Sequence, residues 1–170
     1  MLRKYFWLPV IIGLFAGLFA ILFVEALEVI THLVLEQVVG YYQPLPGGEG
    51  HRETFTWEPL KPYLLPITVA LGGLISGLLA YFFAPESAGV GTDAAIYAYH
   101  HGKKLSLKSS IVKLITSAVT IGTGGTSGRE GPIALIGAGL GSSVADWFKL
   151  KESEKRKALA IGSGQSSSYL

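Results

Sequence analysis

The chain has 170 residues, of which 49% are hydrophobic and only 15% charged, and its mean hydropathy is +0.44. That balance, together with long uncharged runs, places it among integral membrane proteins. The net charge of +2 is unremarkable and no nucleic-acid partner is expected, while the absence of cysteine excludes disulfides, thiolate metal sites and cysteine nucleophiles.

The first predicted element is a transmembrane helix. Phe6 to Val24 carries no charge over 19 residues and follows Arg3 and Lys4. A signal peptide would share the basic start, but this run exceeds an ordinary signal core and lacks a small-residue cleavage site around Leu22–Glu25. An amphipathic extension carries the helix to about Val39. A polar loop from Gly40 to Lys61 follows, rich in proline and glycine, with Tyr41, Tyr42 and Trp57 suited to a membrane–water boundary.

A second span is expected from Pro62 to Ala84, and then a break, Pro85 to Asp93, leading into a short helix that ends near His101. Lys103, Lys104 and Lys108 precede a third apolar segment, Ser109 to about Gly122, with Lys113 one turn inside it. The excess of lysine before this segment and of Arg3 and Lys4 before the first span orients the N-terminus and the lysine loop towards the cytoplasm, and the 40–61 loop outwards. The cluster from Lys149 to Lys157 reads as another cytoplasmic loop. After it, an apolar helix starting at Ala158 gives way to Gln165 and three serines, so the chain is expected to be a truncated piece.

Most of the functional signal lies in Gly122–Pro132, which reads Gly-Thr-Gly-Gly-Thr-Ser-Gly-Arg-Glu-Gly-Pro. Its glycines allow sharp turns that expose N–H groups, and Pro132 fits the first turn of a helix. The uncharged run that follows, Ile133 to Ala145, has 13 residues, too few to cross a bilayer that needs about 20. A half-helix beginning at membrane depth presents unpaired N–H groups and a positive dipole end, which suits an anion. Arg129 and Glu130 stand at that mouth, and the carboxylate is a candidate plug or gate. A second glycine turn, Gly89-Val90-Gly91-Thr92-Asp93, precedes the short helix. Thr92 or Asp93 can serve there as an ordinary N-cap, or the two glycine-turn helices can converge on one ion.

Competing chemistries fit less well. The glycine-rich loop lacks the Gly-Lys-Ser/Thr of a phosphate-binding loop and the last glycine of the dinucleotide fingerprint. Glu25, Glu28, His32 and Glu36 share a helix face, yet they lack Glu-x-x-His spacing, so a polar face at the outer end of the first helix is expected in place of a metal site. The pairs Gly13/Gly17, Gly73/Gly77 and Gly137/Gly141 are read as close helix-packing positions.

With these residues in view, the chain resembles the CLC family of chloride channels and chloride/proton antiporters. Gly128-Arg129-Glu130-Gly131-Pro132 is similar to the family's second signature, and Gly89 to Asp93 to its first, which commonly reads Gly-Ser-Gly-Ile-Pro. The resemblance covers nearly the whole chain but less than half of a family transport domain. It implies an all-α integral membrane fold with tilted transmembrane helices and short re-entrant half-helices.

By position, it makes Glu130 the gating carboxylate. It assigns anion binding to Gly128, Arg129, Gly131, Ile133 and Ala134 and to Gly89, Val90, Gly91 and Thr92. Val90 stands where the family has a serine whose hydroxyl meets the anion, which leaves coordination to backbone donors. The resemblance further implies chloride, and protons if the protein is an antiporter, as transported ions, with no cofactor and no metal. It also implies a homodimer for the complete protein and a multi-pass location in the plasma (inner) membrane. A membrane scaffold that packs through glycine faces is the alternative from another class. A membrane hydrolase using Glu130 fits worst, since His100 and His101 lie by the lysine loop.

Overall fold

The computed structural model describes residues 2–42, 61–89 and 91–167, with side chains described from residue 7 to residue 164 within those ranges. Val90, most of the 40–61 loop and the last three residues lie outside them. Among the described residues the elements are helical throughout. The chain runs through α1 (Leu2–Thr31), continued by a π-helical stretch (His32–Val39), then α2 (Leu64–Phe83) and a short 3₁₀ turn (Pro85–Ser87). There follow α3 (Thr92–His101), α4 (Leu107–Gly122), α5 (Glu130–Trp147) and α6 (Glu152–Ser167). The fold is all-α, as expected.

Two stretches, Trp7–Val39 and Leu64–Phe83, are long and apolar enough to cross a membrane. They carry much of their apolar surface outwards: Leu14, Ile21, Leu74, Tyr81 and Phe82 are all exposed. A soluble core would hide such side chains, whereas lipid accepts them.

The buried centre is α5, whose residues from Gly131 to Ala145 are all buried except Ala134 and Ser143. Ile133, Ile136 and Leu140 pack on Phe23 and Leu27 of α1 and Ala118 of α4. Leu135 and Ala138 meet Ala95 and Ala98 of α3 and Leu159 of α6, and Val144 and Ala145 meet Ile12 and Ala158. Small residues make this possible. A Cβ on Gly141 would overlap the Ala158 carbonyl, and one on Gly162 the Gly137 carbonyl, so α5 and α6 approach at backbone distance.

Several expectations are corrected. The helix from Gly128–Pro132 is longer than the uncharged run: it starts at Glu130, where a carboxylate complements the dipole, and reaches Trp147. The expected loop from Lys149 to Lys157 is mostly helix, because Glu152 and Glu154 favour a helix start and the Glu154 carboxylate accepts from the Lys151 amide at 3.2 Å. The packing pair on α2 is Gly72/Ser76 and not Gly73/Gly77: Gly72 meets Thr123, while nothing lies within 4 Å of a Cβ built on Gly17, Gly73 or Gly77. Glu36 is 8% exposed, off the outer polar face, because the π-helical stretch changes the helical register; it binds His32 Nδ1 at 2.7 Å. No group of three or more possible metal ligands occurs among the described residues.

Candidate functional site: two glycine turns that meet

The two glycine turns come together in space. Gly91 has φ +107° and is the N-cap residue of α3, a place earlier given to Thr92 or Asp93; these are instead the first two helical residues, and no side-chain capping bond forms. A Cβ on Gly91 would stand 2.6 Å from the Gly131 carbonyl oxygen and 3.3 Å from Leu135 Cβ. Only glycine satisfies both the backbone angle and this approach. The starts of α3 and α5 are thereby held against each other.

Each start leaves backbone donors beyond its first helical bond. In α3 that bond runs from the Ala95 amide to the Gly91 carbonyl, 3.1 Å, so the amides of Thr92, Asp93 and Ala94 precede it. In α5 the Ile133 amide donates to the Arg129 carbonyl at 3.2 Å, so the amides of Glu130 and Gly131 precede it and Pro132 has none. Gly124, at φ +99°, turns the chain out of α4, and the Gly125 amide ties back to the Thr120 carbonyl at 2.9 Å.

The individual side chains divide between two cavities. Thr92 and Ala134 line one of about 360 Å³ between α3, α5 and α6, together with Tyr99 and His100. Gly89 and Pro132 line another of about 240 Å³ between α2, α4 and the start of α5. Gly128 and Glu130 are exposed, Arg129 is partly buried, and Gly131 and Ile133 are buried. Glu130 has neither an ion-pair nor a hydrogen-bond partner among the described residues. The residue that sequence reasoning noticed without giving it a role is Lys113. Its Nζ donates to the Gly89 carbonyl at 2.6 Å; an ammonium inside an apolar run was the signal.

The far end of α5 is built differently. Asp146 Oδ1 lies 2.6 Å from Lys155 Nζ and 3.5 Å from Lys104 Nζ, and Lys155 also reaches Glu152 at 3.2 Å. The hydrogen bond from Lys155, with Lys104 nearby, holds the Asp146 carboxyl below its usual range. Residues near the start of α1 pack here too, through Leu8, Ile11 and Ile12. Lys104 and Lys155 therefore gather at the end of α5 opposite Glu130.

Comparison with known proteins gives the family and the fold. Residues 72–166 match the family described as voltage gated chloride channel. The H(+)/Cl(-) exchange transporters ClcA of Salmonella arizonae and Salmonella paratyphi B are each 34% identical over 101 residues, covering 56% of this chain and 21% of theirs. The chain thus spans about a fifth of the length of these relatives. The fold matches the crystal structure of a slow cyanobacterial Cl⁻/H⁺ antiporter with a TM-score of 0.68 at 22% identity, over 94% of this chain and 35% of that one. The chain belongs to the voltage gated chloride channel (CLC) family.

Proposed function

We propose that this chain forms part of an anion-transport pathway across a membrane, carrying chloride and exchanging it for protons, with Glu130 as the gating carboxylate. The observation that carries the reading is the contact between Gly91 and Gly131, which brings the N-termini of α3 and α5 together beside Glu130. Two positive dipole ends favour a small anion. A carboxylate in the first turn is electrostatically similar to that anion and competes for the same place. Protonation removes the competition, so anion movement and proton uptake become linked.

Gly128, Arg129 and Gly131 would meet the anion from α5, and Gly89, Gly91 and Thr92 from α3. Val90 brings no hydroxyl, so backbone donors take the larger share. Ile133 and Ala134 lie where the helical bonds begin and would contribute through the dipole more than as free donors. Exchange is preferred over channel conduction because the relatives named above are exchange transporters. No cofactor or metal is needed. The protein works in a multi-pass membrane setting with its N-terminus and lysine-rich end in the cytoplasm, as a homodimer.

The test is Glu130→Gln in the protein reconstituted into vesicles. Proton-coupled flux should be lost and chloride flux should become independent of pH. A variant that retains the pH dependence of the parent would remove Glu130 from the mechanism.

A further inference from the structure

Gly91 and Gly131 approach each other without side chains, so the spacing of the two helix starts is set by what holds each of them from outside the contact. The start of α4 reaches both. Ser110, fully buried, donates to the Ile136 carbonyl of α5 at 3.3 Å, in space that a Cβ on Gly139 would fill. Its neighbour Ser109, also buried, donates to Glu86 Oε1 at 2.5 Å, a partner 23 residues away in sequence. Glu86 belongs to the 3₁₀ turn that leads into the first glycine turn.

The acid suits its place. Ser106 is the N-cap of α4, so Ser109 is the third helical residue, where a glutamate or glutamine commonly completes the cap. Here that residue is a serine, and the carboxylate arrives from Glu86 instead. Ser106 Oγ accepts from the Ser109 amide at 3.1 Å and lies 2.8 Å from Ser109 Oγ. Because the Ser109 proton goes to Glu86, Ser106 donates to Ser109, and the two hydroxyls form a directed chain that ends on the carboxylate. The positive end of α4 adds attraction, and the Ser109 bond holds the Glu86 carboxyl below its usual range. The turn is stiff enough to pass this hold on. The Ser87 hydroxyl and amide both donate to the Ala84 carbonyl, at 2.7 and 2.8 Å, and the Ala88 amide donates to the Pro85 carbonyl at 3.2 Å. Gly91 follows three residues later.

We propose that Glu86 is a positioning residue. Through Ser109 it clamps the turn before α3 to the start of α4, while Ser110 clamps α5 to the same place, and the two clamps together set the approach of Gly91 to Gly131. Glu86 touches neither the anion nor the gate. The effect on anion binding rests on the function proposed above, whereas the clamp itself stands on the hydrogen bonds alone.

The experiment is amide hydrogen exchange of the whole chain in lipid nanodiscs, with chloride affinity measured by calorimetry on the same samples. The amide to watch is that of Ala95, whose bond to the Gly91 carbonyl at 3.1 Å closes the first turn of α3. Glu86→Ala should speed its exchange about tenfold or more, the worth of a hydrogen bond to a charged group, with α1 and α2 unmoved. Chloride affinity should fall in the same variant by about threefold to tenfold, the worth of one weakened hydrogen bond. Ser109→Ala should reproduce both changes from the other side of the bond, and it serves as the test should Glu86→Ala not fold. Glu86→Gln keeps an acceptor oxygen and should restore both values to near those of the parent. Unchanged exchange at Ala95 in the alanine variants overturns the proposal, as does a Glu86→Gln chain that exchanges as fast as Glu86→Ala. Equal acceleration in α1 and α2 overturns it too, by making the effect a general loss of stability. Faster exchange with unchanged chloride affinity removes the positioning role. A parent that binds no chloride removes the proposed function instead, and the exchange pattern then decides the clamp by itself.

Discussion

The two ends of α5 carry one carboxylate each, and they are treated in opposite ways. Asp146 stands at the C-terminal end, where the helix dipole disfavours a negative charge, and the structure compensates with Lys155 at 2.6 Å and Lys104 at 3.5 Å. Glu130 stands at the N-terminal end, where the dipole alone favours the charge, and no lysine or arginine ion-pairs with it among the described residues. A carboxylate held by two ammonium groups is a fastener. One held by backbone dipoles can leave when an anion or a proton takes over its role. The difference separates Asp146, which joins elements, from Glu130, which carries the proposed gating role.

The largest expected effect comes from exchanging the two acids for amides. Glu130→Gln should remove the pH dependence of chloride flux, whereas Asp146→Asn should preserve it and change only stability. Flux from reconstituted vesicles over a pH series measures both. Equal effects on the pH profile would erase the distinction between the two ends.

Next in size is Gly91→Ala, which forces an L-residue to φ +107° and puts its Cβ against the Gly131 carbonyl. Strain of this kind costs about 1–3 kcal/mol, and it should also separate the two glycine turns. A denaturant series in micelles gives the stability loss, and anion affinity should fall in the same variant. Gly141→Ala should cost a comparable or slightly smaller amount, about 1–3 kcal/mol from overpacking against Ala158. It lies far from Glu130 along α5, so the pH profile of flux should not move. A changed profile would mean that the two ends of α5 are coupled.

The smallest effect concerns acid stability. The folded Asp146 pKa is depressed, so its stabilising contribution is present above the ordinary aspartate value of about 3.9 and is lost as pH falls through the lower folded value. Lys155→Met removes the main cause of the depression. Thermal midpoints between about pH 2 and 6 should therefore fall less steeply on the acid side than in the parent. An unchanged acid limb would show that the Lys155 contact contributes nothing in solution, as exposed ion pairs often do not.

Much of this architecture is legible from the chain itself. The long uncharged runs locate α1 and α2, and Gly102 after His101 ends α3 with a left-handed cap at φ 64°. The third apolar segment, expected from Ser109, is α4, which starts two residues earlier at Leu107 because Ser106 caps it by accepting the Ser109 amide at 3.1 Å. The glycine turns and the Arg129–Glu130 pair mark the candidate site in the sequence. What stays hidden depends on neighbours distant in sequence. No local pattern tells Gly72 from Gly73 as the residue that meets α4, because the choice depends on where Thr123 arrives. Periodicity assumes a constant helical repeat, so the π-helical stretch that buries Glu36 is invisible to it. The charges that extend α5 and α6 look like loop composition until Asp146 is seen to collect Lys104 and Lys155.

The most direct measurement is proton uptake on chloride binding, by calorimetric titration of the protein in two buffers of different ionisation enthalpy near neutral pH. If chloride displaces the Glu130 carboxylate into a setting where it takes up a proton, the parent should bind protons with chloride and Glu130→Gln should bind chloride without them. Chloride binding to the parent with no proton uptake, or the same uptake in both proteins, would contradict Glu130 as the group that links the anion to the proton.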